Sequence, residues 1–119
     1  MTTLWDNTLK VNGTGQAVNS TAEEVTLIAA PGAGKRIYVQ NVVINIILAA
    51  TGATGMLALE DGSGGTRFIE ASADALGGFC IDFGSPGYPL SLNTLLNLTV
   101  DGAGTNEATV RATVTGIVL

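Results

Sequence analysis

From Glu24 onward, apolar residues recur at every second position and glycine-rich clusters interrupt them, the signature of short strands separated by turns. Val25, Leu27 and Ala29 alternate with Thr26, Ile28 and Ala30 and stop at the turn signal Pro31-Gly32. A long β-branched run follows from Arg36 to Leu48, with Ile37 and Val39 on one parity and Val42, Ile44 and Ile46 on the other. The switch near Asn41 predicts a bulge, or a strand that bends between two sheets. Met56 to Glu60 and Thr66 to Ala71 read as strands joined by Asp61-Gly62-Ser63-Gly64-Gly65. Phe79, Ile81 and Phe83 alternate with Cys80 and Asp82. Leu96, Leu98 and Val100 alternate with Asn97 and Thr99, and Val110, Ala112 and Val114 with Arg111, Thr113 and Thr115. Seven strands are therefore expected after residue 24. Sixteen glycines leave no window for a long helix, and Ala71 to Leu76 makes at most one turn. The expected fold is all-β: a single antiparallel β-sandwich over residues 24–119, in jelly-roll order.

Residues 1–23 read differently. They are polar and glycine-containing, and their large apolar groups, Leu4, Trp5, Leu9 and Val11, cluster near the start. No strand or helix period runs through them, which points to an extended N-terminal arm with a joint at Gly13 and Gly15. An exposed Trp beside Leu is unfavourable unless it docks, so Leu4, Trp5, Leu9 and Val11 are the candidate partner-binding residues. The alternative is that the arm folds back and completes the sandwich as an edge strand.

Composition adds one constraint. Hydrophobic residues make up 46% of the chain, enough for a packed interior, yet charged residues are 13%, against ~25% in an ordinary soluble domain. The surface must then be covered by Thr, Ser, Asn, Gly and Ala. Such a surface meets another protein with few charges to desolvate, which suggests an oligomer or a lattice component; the alternative is a monomer with a Thr/Asn-rich surface. The net charge of −5 and the scattered Lys10, Lys35, Arg36, Arg67 and Arg111 argue against nucleic-acid binding. Nothing resembles a signal peptide or a membrane span. Cys80 is the only cysteine, so no intrachain disulfide forms. Synthesis in a reducing cytoplasm follows as the expectation.

Candidate chemistry is thin. Ala29-Ala30-Pro31-Gly32-Ala33-Gly34-Lys35-Arg36 echoes a phosphate-binding loop, but it lacks the first Gly and the closing Ser/Thr and leads into a strand, not a helix. A β-turn explains it. The chain has no histidine, which removes the usual general base and the commonest metal ligand. Cys80 faces opposite to Phe79 and Ile81 and reads as a small packing residue. Glu60, Asp61, Glu70, Asp74 and Asp82 could meet in space as a glycosidase acid pair, yet strand-end and turn positions account for them. Glu60-Asp61-Gly62-Ser63-Gly64 lacks the acidic spacing of a calcium loop. No catalytic residue, metal site or cofactor is expected.

The stretch Ile28-Ala29-Ala30-Pro31-Gly32-Ala33-Gly34-Lys35-Arg36-Ile37, leading into a β-branched strand, resembles a phrase recurring in small β-sandwich virion proteins of tailed bacteriophages. The hairpin Asp61-Gly62-Ser63-Gly64-Gly65-Thr66 and the closing Val110-Arg111-Ala112-Thr113-Val114-Thr115-Gly116 resemble the same group. The likeness runs from about residue 24 to the end. It is strongest to capsid decoration (cement) proteins, and it implies a non-enzymatic homotrimer on the capsid exterior with the major capsid protein as partner. The rival it leaves open is a receptor- or carbohydrate-binding module of a tail or fibre, using loops around Tyr38, Tyr88 and the Asp61–Gly65 turn.

Overall fold

Alternate residues of the central strands are large and apolar, and burying that row on both sides of one interior folds the chain into two facing sheets. The computed structural model describes residues 10–18, 23–49, 55–72, 77–100 and 108–119. Among the described residues there are nine strands and no helix: β1 (Lys10–Val18), β2 (Glu23–Ile28), β3 (Ile37–Ala49), β4 (Met56–Asp61), β5 (Thr66–Ser72), β6 (Gly77–Asp82), β7 (Tyr88–Pro89), β8 (Leu96–Val100) and β9 (Ala108–Val118). The first sheet has the order β1-β9-β3-β6, with the short β7 also on β3; the second has the order β2-β8-β4-β5. Every pairing is antiparallel. The pairs β1–β9, β2–β8, β3–β6 and β4–β5 nest inside one another, and β3–β9 and β4–β8 join them into sheets. That is the jelly-roll order, and the fold is an all-β sandwich.

The interior lies between the central strands. Ile37, Val39, Val42 and Ile44 of β3 and Val110, Ala112 and Val114 of β9 face Leu57 and Leu59 of β4 and Leu96, Leu98 and Val100 of β8; all are buried. The parity switch expected near Asn41 is a bulge: Val39 pairs with Gly116 and Asn41 with Thr115, leaving Gln40 as the extra residue. The bulge returns Val42 and Ile44 to the interior after Ile37 and Val39. A second bulge leaves Phe68 extra in β5, because Leu59 pairs with Ile69 and Glu60 with Arg67. This turns Phe68 toward the core, where it stacks on Tyr88 with ring centroids 4.5 Å apart and leans on Phe83 at 6.1 Å.

The seven strands expected after residue 24 are all present. The two-residue β7 has no periodicity to announce it. The expectation of an arm over 1–23 does not hold for residues 10–18, which pair with β9 from Lys10↔Ile117 to Val18↔Thr109. Their inward positions are Val11, Gly13, Gly15 and Ala17, too small to show as an apolar row. The glycines are not a joint. A Cβ on Gly13 would lie 2.0 Å from the Leu27 carbonyl oxygen, and one on Gly15 would lie 2.6 Å from Leu27 Cδ2. Gly13 lets β1 and β2 close the side of the sandwich backbone against backbone, and Gly15 leaves room for the Leu27 and Val25 side chains. Leu4, Trp5 and Leu9 lie outside the described residues, as do residues 19–22.

Gly13→Ala is therefore expected to destabilise the protein by about 1–3 kcal/mol through overpacking. Gly34→Ala, where the added Cβ meets nothing within 4 Å and φ is +76°, is expected to lose about 1 kcal/mol from backbone strain alone. Urea unfolding of the two variants beside Thr14→Ala, on the exposed side of the same strand, measures the difference; a Gly13→Ala variant as stable as Thr14→Ala would refute the close approach.

Candidate assembly surface

A sandwich offers other molecules two outer faces, two ends and its edges, and here the two faces differ in chemistry. On the β2-β8-β4-β5 sheet, pairing places Thr26, Asn97, Glu60 and Arg67 in one row across the outside. Glu60 and Asn97 point outward yet are 3% and 2% exposed. The β4–β5 turn folds over them. Glu60 accepts from Asn97 Nδ2 at 2.9 Å, from the Gly64 backbone N–H at 3.3 Å and from Arg67 Nε at 3.3 Å. Ser63 Oγ donates to Glu24 at 2.5 Å, which binds the turn to β2. This face is charged and already covered by its own hairpin.

The outer face of β1-β9-β3-β6 is bare among the described residues. Its rows are Asn12–Thr115–Asn41–Asp82, Thr14–Thr113–Val43–Cys80 and Gln16–Arg111–Asn45–Gly78. Its charges sit at the margins, apart from Arg111, whose Nη2 donates to Gln16 Oε1 at 3.0 Å. A face of hydroxyls and amides on a regular ladder offers donors and acceptors to a second protein without stranding a charge. Cys80 faces opposite to Phe79 and Ile81, as alternation requires, but it is exposed on this face and not a packing residue.

One end of the sandwich is knitted into a single platform. Asn93 Oδ1 accepts from the Gly32 N–H at 2.9 Å, Asn93 N–H donates to the Lys35 carbonyl at 2.7 Å, and Gly62 N–H donates to Leu95 at 2.9 Å. Asp61 accepts from both the N–H and the hydroxyl of Ser91. The loop resembling a phosphate site is thus a turn whose Gly32 and Lys35 amides already have partners. The acidic residues are not gathered into a pair: Glu60 and Asp61 are engaged on the second sheet and its turn, Glu70 is exposed on β5, and Asp82 lies on the first sheet, where it accepts from the Gly84 N–H at 2.8 Å. Asp74 lies outside the described residues. No group of three or more metal-ligating side chains occurs among the described residues.

Of the four expected partner-binding residues, Val11 is the one described. It is half-buried against the protein's own core. The bare face was not singled out as a site by sequence. Its signal was the poverty in charge together with the polar parity Arg111, Thr113 and Thr115 on β9.

Glu60→Ala strands the buried Asn97 amide and is expected to lower stability by about 1–3 kcal/mol. Arg67→Ala removes an ion-pair partner whose side chain is 45% exposed and is expected to cost under about 1 kcal/mol. Equilibrium denaturation orders the two; equal losses would mean that Asn97 is satisfied in some other way.

No family model matches the sequence, and no curated protein matches it. Among solved structures, the chain is similar to a protein of Bacillus endospore appendages described as disulfide-linked pili, at 14% identity over 92% of this chain and 88% of that one, with a TM-score of 0.48. It is also similar to the coat protein of Tobacco streak virus, at 11% identity over 95% and 89% with a TM-score of 0.42. A third likeness is to the virus-like particle of the Macrobrachium rosenbergii extra small virus, at 12% identity over 97% and 81% with a TM-score of 0.35. These neighbours are viral capsid or pilus-like structural proteins with β folds.

Proposed function

We propose that this chain is a non-enzymatic structural protein of a bacteriophage virion that binds the outer surface of the assembled capsid and stabilises it, acting as a homotrimer. The observation that carries the reading is the bare, charge-poor face of β1-β9-β3-β6, centred on the row Thr14–Thr113–Val43–Cys80. A ligand that binds the closed shell but not its separated subunits shifts the equilibrium toward the shell by mass action. Many modest contacts repeated across a lattice add up to firm attachment. The major capsid protein is the partner this face would meet, and Leu4, Trp5 and Leu9, preceding β1, supply apolar anchors toward a neighbouring molecule. The rival reading, a receptor- or carbohydrate-binding module of a tail or fibre, has less support at Tyr88, whose ring is engaged by Phe68 at 4.5 Å and Phe83 at 5.6 Å.

Thr113→Glu places a charge at the centre of the bare face without touching the core. It is expected to weaken binding to purified heads by about a hundredfold, roughly 2.7 kcal/mol, while the melting temperature stays within a few degrees of the parent. Cryo-EM of virions is expected to show the protein regularly spaced over the head. Density confined to the tail tip, or unchanged head binding by Thr113→Glu, would overturn this reading.

A further inference from the structure

The outer edges of the two sheets belong to β1, β2, β5 and β6, with the short β7 beside β6 on β3, and they are not equally guarded. Exposed strand edges invite pairing with other chains, and proteins blunt them with charge, bulges or cover. The edge strand β2 carries Glu23 and Glu24 and has a bulge that leaves Leu27 extra. On β5, Arg67 and Glu70 flank the Phe68 bulge. Strand β1 begins at Lys10 and is packed against β2 through Gly13 and Gly15.

Strand β6 has none of these devices. It reads Gly77-Gly78-Phe79-Cys80-Ile81-Asp82, with no charge before its last residue and no proline. It pairs with β3 in unbroken register from Asn41↔Asp82 to Ile46↔Gly77. Phe83 N–H donates to the Gln40 carbonyl at 2.8 Å. The antiparallel alternation then turns the backbone groups of Gly78, Cys80 and Asp82 away from β3, where no strand of the described residues meets them. The interior is also incompletely closed on this side: Phe79, Ile81, Phe68, Phe83 and Tyr88 are half-buried at its margin. An unguarded backbone edge beside an unfilled apolar margin is an acceptor for one more strand.

We propose that β6 accepts residues 1–9 of a second copy of this chain as an added strand. Trp5 and Leu9 share one parity, so in an extended segment they face one side, with Leu4, Asp6 and Thr8 on the other. Seated on β6, Trp5 and Leu9 extend the margin formed by Phe79 and Ile81, and Leu4, Asp6 and Thr8 lie outward beside Cys80. The donor comes from another copy because of reach. Residues 1–9 join β1, and β6 is three strand positions away across the same sheet, about 14 Å. An extended nine-residue segment spans about 30 Å, so crossing its own sheet would consume roughly half of it, whereas β6 of a neighbour can take its full length. Each copy then has one donor and one acceptor, a head-to-tail contact that makes a ring where the rotation between copies closes and a filament where it does not; the proposed trimer is the closed case. This deepens the proposed function by naming what Leu4, Trp5 and Leu9 meet; it rests on that reading for the trimer alone.

The test uses the full chain in solution, without capsids. Trp5 is the only tryptophan, so its emission reports on this segment. Cys80→Pro removes an outward N–H while sparing the ladder to β3, and Cys80→Ser is its control. Sedimentation velocity is expected to show a closed oligomer for the parent and Cys80→Ser. For Cys80→Pro, assembly is expected to weaken by about a hundredfold, with Trp5 emission shifted to the red. Should Cys80→Pro fail to fold, a second measurement decides. Leu4→Cys, Asp6→Cys and Thr8→Cys are each introduced singly beside the native Cys80, since cross-strand neighbours stand at disulfide distance. At least one is expected to give disulfide-linked multimers on a non-reducing gel. A bond formed within one chain, or no bond in any of the three, overturns the proposal, as does a folded Cys80→Pro that assembles like the parent. Neither measurement reads capsid binding, so failure of the strand exchange leaves the decoration reading standing.

Discussion

The row of buried side chains between β3–β9 and β4–β8 sets how far apart the two sheets stand, about 10 Å. The rest of the structure answers the question of what happens at the margins of that row. Toward β1 and β2 the sheets converge until a carbonyl of Leu27 occupies the place of a side chain at Gly13. Toward β5 and β6 they stay apart, and three rings, Phe68, Phe83 and Tyr88, bridge the gap. One side is closed by removing side chains, and the other is partly filled by enlarging them. The bulge at Phe68 serves the second solution, since a regular strand would have turned that ring to solvent.

The same division governs polarity. With few charges to distribute, the chain concentrates them where they hold its own turns: Glu60 on the β4–β5 turn and Arg67, Asp61 on Ser91, Glu24 on Ser63. These carboxylates are structural because each already accepts from a neighbouring segment. What is left for the opposite sheet is a face of Thr, Asn and Gln. A protein selected for solubility as an isolated monomer gains from charge on every face. Leaving one face nearly without it makes sense when another protein covers that face.

Strong alternation was legible from sequence, and so was its interruption. The change of parity between Val39 and Val42 announced either a bulge or a bend between sheets near Asn41, and the Gln40 bulge is the one that keeps both sets inward. The β1 strand was illegible for the complementary reason. Periodicity reads large apolar residues, and Gly13 and Gly15 are inward residues defined by the absence of a side chain. The same blindness hid the site: Val11 stood out as an apolar residue in a polar stretch, yet it packs on its own core, while the bare face is built of residues that look ordinary one at a time. Cys80 followed the alternation correctly but not the burial expected of its type, because it stands on the outer face of the sheet, which no other element covers among the described residues.

Edge and face also differ in direction, and this bears on how one small chain could meet two kinds of neighbour. Hydrogen bonds from β6 lie in the plane of the sheet, whereas the side chains of Thr14, Thr113 and Val43 stand perpendicular to it. A strand added in the plane lengthens the row of strands without covering the face. In the proposed arrangement, contacts between copies therefore run sideways and contacts to a shell run along the normal, and neither excludes the other. Adding strands sideways also widens the bare face, so each copy seated beside another presents a larger continuous surface than it does alone. Binding to a lattice then becomes cooperative through geometry, with no change of conformation in the sandwich: the first copy seated raises the local concentration of the next. The unguarded edge, a liability in a monomer, becomes in such an assembly the feature that sets its lateral order.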